Sequence, residues 1–117
     1  MRAFMVWALM LGWLAVGLPA AADETAQVAG TYSVHGTNPN GTTYTGTVVI
    51  TRDGKRYGFS WLISNGSTFK GAGTRQGKMI VVDWGQKYPV VYEVGGDGVL
   101  HGKWDNGRAS ETLVPKP

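Results

Sequence analysis

The 117-residue sequence contains no cysteine. Without thiols the chain cannot form a disulfide framework, a thiolate zinc site, an iron–sulfur cluster or a cysteine nucleophile. Charged side chains are also scarce, at 16% of the residues, where soluble domains average roughly 25%. The formal net charge of +3 is dispersed along the chain with no basic stripe. This pattern argues against nucleic acid as a partner.

Residues 1–22 have the composition of a secretory signal peptide. A basic start at Met1-Arg2 precedes 15 apolar or glycine residues over 4–18, and an Ala-x-Ala site ends at Ala22. The apolar run is shorter than the roughly 20 residues of a membrane-spanning helix. We therefore expect cleavage after Ala22, no stable membrane insertion afterwards, and a periplasmic or secreted single domain over residues 23–117.

The remaining chain shows no helical periodicity. Short segments rich in valine, isoleucine, threonine and aromatic residues alternate with Gly/Asn/Asp clusters, which is typical of an antiparallel all-β domain. The clusters are too short for crossover helices, so consecutive strands are expected to pair as a meander. We predict a small eight-stranded antiparallel barrel, with a two-sheet sandwich as the alternative and closure between the first and last strands left open. The candidate strands are 30–37, 42–52, 55–64, 68–75, 78–84, 88–94, 99–105 and 108–114.

Turn positions predict the register of these strands. Two-residue turns at Asp53-Gly54 and Gln76-Gly77 would pair Ile50 with Tyr57 and Gly71 with Val82. A three-residue loop over 65–67 and another over 85–87 continue the same inward face. That face carries, besides several glycines, Tyr32, Val34, Tyr44, Val48, Ile50, Tyr57, Phe59, Trp61, Phe69, Ile80, Val82, Trp84, Tyr88, Val90, Tyr92, Leu100 and Trp104.

Glycines on the inward face are expected to lie opposite aromatic rings. The register places Gly46 against Trp61 and Gly102 against Tyr92. A glycine at such a position permits strong curvature, and the ring on the next strand covers the gap. So many rings inside a barrel of 95 residues predict a filled interior rather than a roomy cavity.

Catalytic and metal-binding motifs are not found in the sequence. It has no nucleophile elbow, phosphate loop, zinc-protease helix motif or calcium loop. His35 and His101 fall at outward positions on strands one and seven, which strand eight separates, so they are not expected to share a metal. We predict no catalytic residues, no metal, no cofactor and no enzymatic activity.

One carboxylate departs from this pattern. A turn at Asn106-Gly107 places Glu111 opposite Gly102, pointing inward near Tyr92 and Tyr32. A buried carboxylate needs hydrogen-bond donors, and tyrosine hydroxyls supply them. Glu111 is then either the polar anchor of a bound ligand or part of a purely structural network; a slipped register with Thr112 inside is the other possibility.

Two sets of candidate binding residues follow. A ligand inside the barrel would be lined by the inward polar and aromatic side chains Tyr32, Trp61, Trp84, Tyr92, Trp104 and Glu111. A partner surface would use two features. One is the protruding 37–43 loop with Asn38 and Asn40, and the other is a group of apolar residues that neighbour one another on the outer face of strands five and six, namely Met79, Val81 and Val91.

Glycine and aromatic spacings give the chain a resemblance to a known group. The segments that carry it are GTYSVHGTNPNG (30–41), YTGTVVIT (44–51), VY (91–92), LHGKW (100–104) and ETL (111–113). They resemble small exported bacterial proteins labelled fibronectin-binding or hypothetical. The resemblance implies a protein of the cell envelope or periplasm, and it brings no catalytic residues.

Three functions remain open at this point. The first is a non-enzymatic exported binding module of the bacterial cell envelope that contacts a protein or glycan of the envelope or host matrix. The second is a carrier of one small apolar or aromatic ligand inside the barrel, and the third is an inhibitor of a secreted hydrolase. A cavity above about 300 Å³ would favour the carrier.

Overall fold

A computed structural model describes residues 27–117, which form eight strands and no helix. Each strand pairs antiparallel with the next, and β8 pairs with β1, so the sheet is a closed meander barrel. The predicted barrel is confirmed, the sandwich is excluded, and the closure left open by the sequence is present. The predicted signal peptide lies outside the described residues. The strands are β1 (Gly30–Thr37), β2 (Thr43–Asp53), β3 (Arg56–Ile63), β4 (Thr68–Gln76), β5 (Met79–Asp83), β6 (Val90–Val94), β7 (Leu100–Trp104) and β8 (Ala109–Pro115).

Two hairpins turn one residue later than the sequence predicted. Asp53 pairs with Arg56 and Gln76 pairs with Met79, so the first turn residue in each hairpin is the glycine. Gly54 has a φ of 63° and Gly77 a φ of 59°. A two-residue hairpin turn requires a positive φ at its first central residue, and glycine adopts that φ without steric cost. The predicted Asp53-Gly54 and Gln76-Gly77 turns are therefore wrong.

The loop between β3 and β4 lies one residue earlier than the sequence predicted. The Ile63 amide donates to the Ser67 carbonyl, which makes the three loop residues 64–66 rather than 65–67. Gly66 closes this loop with a φ of 93°. Each of these shifts moves the strand partner by two residues, so every side chain stays on its predicted face although its neighbour changes.

The change of partner alters one of the two predicted aromatic–glycine pairs and leaves the other intact. Gly46 lies opposite Ile63, and Trp61 lies opposite Val48, so the predicted Gly46–Trp61 pair is wrong. The predicted pairing of β5 with β6, β6 with β7 and β7 with β8 is confirmed, including Gly102 against both Tyr92 and Glu111.

The core is a stack of rings surrounded by aliphatic side chains. Phe59, only 1% exposed, stacks on Trp61 at 5.5 Å and on Tyr92 at 5.4 Å between ring centroids. We call Trp61, Phe59 and Tyr92 the central stack. Phe69, which was also predicted to point inward, lies on the expected face but is 42% exposed, because β4 begins at Thr68 and leaves this ring at the barrel rim.

The two ends of the barrel differ in what fills them. At the closed end, where β1 begins, the segment before it covers the opening: Val28 is buried, and its carbonyl accepts a hydrogen bond from the Tyr32 hydroxyl at 2.6 Å. The other end, which we call the open end, carries the loops 38–42, 64–67, 84–89 and 105–108. Residues 27–117 include no helix that could span a membrane.

Candidate ligand-binding site

A cavity of about 340 Å³ opens at the open end of the barrel. The prediction of a filled interior is therefore wrong for this half of the molecule. Here the rings meet edge to face instead of stacking in parallel. The residues that line the cavity come from the strand ends and the open-end loops: Asn38, Tyr44, Trp61, Ile63, Asn65, Ser67, Phe69, Trp84, Gln86, Val90, Trp104 and Glu111.

Four of the lining rings form a continuous wall of edge-to-face contacts. Tyr44 meets Trp104 at 6.3 Å and 66°, Trp104 meets Trp84 at 5.7 Å and 84°, and Trp84 meets Phe69 at 5.8 Å and 70°. Edge-to-face packing at these separations is favourable because the positive ring edge meets a negative ring face. We call these four residues the aromatic wall. Successive rings stand close to perpendicular, so the wall turns corners around the cavity.

Glu111 is a buried polar group on the cavity lining, and it is 6% exposed. Its Oε1 accepts a hydrogen bond from the Tyr44 hydroxyl at 2.6 Å. Its Oε2 accepts one from the Trp61 indole Nε1 at 3.0 Å and another from the Tyr92 hydroxyl. The prediction that Glu111 points inward, with Tyr92 as a donor, is confirmed.

The strand register explains how two tyrosines reach one carboxylate. A single inward row crosses five strands in the order Tyr44, Gly36, Glu111, Gly102 and Tyr92. A Cβ at Gly36 would lie 2.1 Å from the Tyr44 Cζ, and a Cβ at Gly102 would lie 2.6 Å from the Tyr92 Cε1. Because both neighbours of Glu111 lack side chains, a tyrosine from each side lies across a glycine and donates to the carboxylate.

The protons in this network have defined positions. The Trp104 indole Nε1 donates to the Tyr44 oxygen at 3.1 Å, and Tyr44 in turn donates to Glu111. Burial, followed by the nearby Glu111 charge, raises the pKa of Tyr44 and of Tyr92 well above the ordinary tyrosine value. Both phenols therefore remain donors, and three donors aimed at two oxygens match the acceptor-only, ionised form of a carboxylate.

The negative charge of Glu111 has no cationic partner among residues 27–117. The ion pairs in this part of the chain join Lys78 to Glu93 and Asp105 to Arg108, both on the exterior. The cavity lining contains no lysine, arginine or histidine among the described residues. The site thus combines aromatic faces, a few amide and hydroxyl groups at the rim, and one anionic group held by neutral donors.

The six predicted ligand-contacting residues separate into three groups. Trp61, Trp84, Trp104 and Glu111 line the cavity. Tyr92 is fully buried beneath it and acts through its bond to Glu111. The placement of Tyr32 near Glu111 is wrong: this residue lies at the closed end, where it pairs with Val48 and its hydroxyl is bonded to Val28.

The residue that the sequence analysis missed is Tyr44, which occupies the role expected of Tyr32. A signal for it was present. The β1–β2 hairpin places Tyr44 opposite Gly36, which repeats the Tyr92–Gly102 arrangement on the other side of Glu111. The register of β1 against β8 was needed to see that Gly36 adjoins Glu111, and no turn joins these two strands to set that register from the sequence.

The predicted outer surface residues are placed as follows. Val81 lies directly opposite Val91, and Met79 is on the same face of β5, so these three side chains are neighbours as predicted. Asn38 and Asn40 both bond to Thr42 within the 37–43 loop. Asn38 also lines the cavity, so it belongs to the candidate ligand site as well as to the loop.

The histidines lie on the exterior of the barrel. His35 and His101 both pair with Thr112 of β8, from opposite sides, and both are exposed. No group of three metal-ligating side chains occurs among residues 27–117.

Comparison with known proteins supports the fold. No family model and no curated protein matches the chain. A solved structure of a redesigned beta barrel is similar, with a TM-score of 0.56 and 20% identity over 81% of this chain and 96% of that one. At this level of identity the likeness extends to the barrel architecture alone.

Proposed function

We propose that this protein is a non-enzymatic carrier that binds one small ligand in the open end of its barrel. The observation that supports this proposal most strongly is the lining of the cavity of about 340 Å³, which combines five aromatic rings with the buried Glu111. Small-molecule sites typically begin at about 300 Å³ and combine an apolar lining with a few placed polar groups. Five aromatic rings with one buried carboxylate fit that description.

The architecture suits a preformed pocket. The central stack closes the cavity from below, with Phe59 held between Trp61 and Tyr92. The closed end is covered by the segment around Val28, so a ligand would enter and leave between the open-end loops. Walls built on paired strands hold their side chains in place before the ligand arrives, which reduces the ordering cost of binding.

Export to the periplasm or beyond is part of this proposal. It is supported by the signal-peptide composition of residues 1–22. N-terminal sequencing of the protein isolated from its native cells tests it, and we expect the mature chain to begin at Asp23. A chain that retains Met1 and sediments with membranes would contradict export by cleavage.

Ligand binding is tested with N-phenyl-1-naphthylamine, a neutral apolar fluorophore whose emission rises in apolar surroundings. We expect saturable binding of one dye per barrel. The Ser67→Tyr variant adds a ring at the cavity lining and should abolish the signal, whereas Ser60→Tyr, on the exposed face of β3, should bind as the wild type does. Equal signals from all three proteins would contradict the proposal.

A second candidate function rests on the outer face. Met79 and Val81 are 40% and 45% exposed, and Val91 adjoins them, so an envelope protein or glycan could contact this patch. A Val81→Lys variant should lose a partner that is cross-linked to the wild-type protein in its native extract, while dye binding stays intact. Retention of the partner by the variant would contradict this second candidate. Inhibition of a secreted hydrolase stays a prediction of the sequence.

A further inference from the structure

We propose that the ligand of this cavity is a small organic cation carrying an alkylated ammonium group. This inference rests on the proposed function and names the chemical class of its ligand. Two independent properties of the lining support it: the arrangement of the aromatic faces, and an anionic group that no cation of the described chain neutralises.

The aromatic wall has the shape that an alkylated ammonium requires. Ring faces carry negative quadrupole potential, and a cation within about 6 Å of a ring centroid is attracted to that face. Tyr44, Trp104, Trp84 and Phe69 succeed one another at 66°, 84° and 70°, so their planes form corners. A corner surrounds a compact tetrahedral group on several sides, whereas a flat neutral ring can lie against only one of its faces.

Tryptophan provides the strongest attraction of this kind. All three tryptophans of the described chain, Trp61, Trp84 and Trp104, line the cavity. All three ring nitrogens are already bonded inside the protein: Trp61 to Glu111, Trp84 to the Tyr88 carbonyl and Trp104 to the Tyr44 hydroxyl. These bonds fix the orientation of the three indole rings without using a ligand.

Glu111 adds a full negative charge to the same cavity. Its neighbours neutralise no part of that charge, because Tyr44, Tyr92 and Trp61 are neutral donors. Glu111 is only 6% exposed, and the attraction between a carboxylate and a cation is stronger in such surroundings than in bulk solvent. The same charge repels anions, so carboxylate and phosphate ligands are disfavoured.

The carboxylate also retains a position for one further hydrogen bond. Oε1 accepts a single bond, from Tyr44, while Oε2 accepts two. A carboxylate oxygen accommodates about two donors. A protonated tertiary amine can therefore add its own N–H to Oε1, and a quaternary ammonium relies on charge and ring contacts alone.

The experiment compares choline with 3,3-dimethylbutan-1-ol, which has the same shape with carbon in place of the charged nitrogen. Isothermal titration of the full-length protein and tryptophan fluorescence provide the two readouts. We expect choline to bind at least about tenfold more tightly than the neutral alcohol, which is the size of a desolvated cation–π contact combined with a nearby charge.

Matched variants assign that preference to the site. Glu111→Gln should reduce the ratio of the two affinities several-fold, and Glu93→Gln, the same change at an exposed position paired with Lys78, should leave it unchanged. Because Glu111 joins three donors, its variant can fail to fold. Trp84→Leu, at a half-buried ring of the wall, then serves instead and should weaken choline binding while the alcohol is bound as before.

Three results overturn the inference. Equal binding of the two probes, or tighter binding of the alcohol, shows that the cavity selects for shape or apolarity, and the proposed carrier function stands. A preference for choline that survives both Glu111→Gln and Trp84→Leu places cation binding elsewhere on the protein. Binding of neither probe excludes this ligand class, and the naphthylamine titration then decides separately whether the carrier proposal survives.

Discussion

The two ends of this barrel follow the same rule of alternating side chains but reach opposite results. At the closed end, the aliphatic residues Leu100 and Val94 are buried in one cluster with Val28 of the segment before β1. At the open end, larger aromatic rings meet edge to face and still leave a cavity of about 340 Å³. Inward orientation alone therefore does not determine whether a small barrel is filled.

The difference lies in what each ring has as its neighbour. Phe59 stacks on both Trp61 and Tyr92, with interplanar angles of 27° and 7°. Tyr44 instead lies across Gly36, accepts a hydrogen bond from Trp104 and meets that ring edge to face. The glycines next to Glu111 thus allow a tyrosine from each side to reach the carboxylate.

A matched pair of phenylalanines gives the sharpest contrast between the filled and the open regions. Phe59→Ala removes a fully buried ring and should lower the free energy of unfolding by about 4 kcal/mol. Phe69→Ala removes a ring at the rim and should cost about 1 kcal/mol. Urea denaturation monitored by circular dichroism measures both values. Similar losses for the two variants would mean that the rim is as tightly packed as the core.

Glu111 lies where the two regions meet, and its removal tests whether the network contributes to stability. In Glu111→Leu, the Trp61 indole and the Tyr92 hydroxyl lose their acceptor while buried, so we expect the free energy of unfolding to fall by about 3 kcal/mol. Glu93→Leu on the exterior should change it by less than about 0.5 kcal/mol. An equally stable Glu111→Leu protein would contradict the hydrogen-bond assignment.

The sequence was sufficient to predict which side chains point inward. It was not sufficient to predict all of their neighbours, for a physical reason. The strand pattern and the 106–107 turn were sufficient to place Glu111 inward next to Gly102. The choice of Tyr32 over Tyr44 failed because it depends on the register of β1 against β8, and no hairpin turn sets the register of strands that are separated by most of the chain. The turn errors at Gly54 and Gly77 came from the position of glycine within the turn, and they preserved the faces because the register moved by two residues.

The cavity itself was not predictable from face assignment. The sequence places every ring on the inward face but does not say whether a ring lies across the barrel or along its wall. That choice depends on side-chain rotamers and on neighbours such as Gly36 and Gly102, which become adjacent to Glu111 only in the closed sheet.

Alkaline pH should weaken the network in a graded way. Burial raises the pKa of Tyr32, and burial together with the Glu111 charge raises the pKa of Tyr44 and Tyr92 above the ordinary value of 10.0. Above that value the unfolded chain loses phenol protons that the folded chain keeps. The contribution of these tyrosines to the free energy of unfolding is therefore fully present below pH 10. Above pH 10 the free energy of unfolding decreases by about 1.4 kcal/mol per pH unit for each such tyrosine.

Urea titrations between about pH 9 and about pH 11 measure this slope. The Tyr92→Phe variant removes one of the titrating groups. The decrease in the free energy of unfolding with pH should therefore become smaller by the contribution of one tyrosine. A free energy of unfolding that stays constant over this interval would contradict the burial of these phenols.

The smallest effect concerns the tyrosine that the sequence placed in the ligand site. Tyr32→Phe removes one hydrogen bond to the Val28 carbonyl at the closed end and should cost about 1 kcal/mol. Naphthylamine binding should be unchanged, whereas Tyr44→Phe should alter it, because Tyr44 lines the cavity. Loss of dye binding in Tyr32→Phe would place the ligand at the closed end and contradict a binding site at the open end.

The most direct measurement of a ligand site at the open end is a heteronuclear NMR titration with N-phenyl-1-naphthylamine. The indole N–H signals of Trp61, Trp84 and Trp104 report from the cavity, and the amides of Val28 and Val94 report from the closed end. We predict saturable shifts of the three indole signals with one dye per barrel and stationary amides at the closed end. Shifts centred on Val28 and Val94, or none at the indoles, would contradict the account.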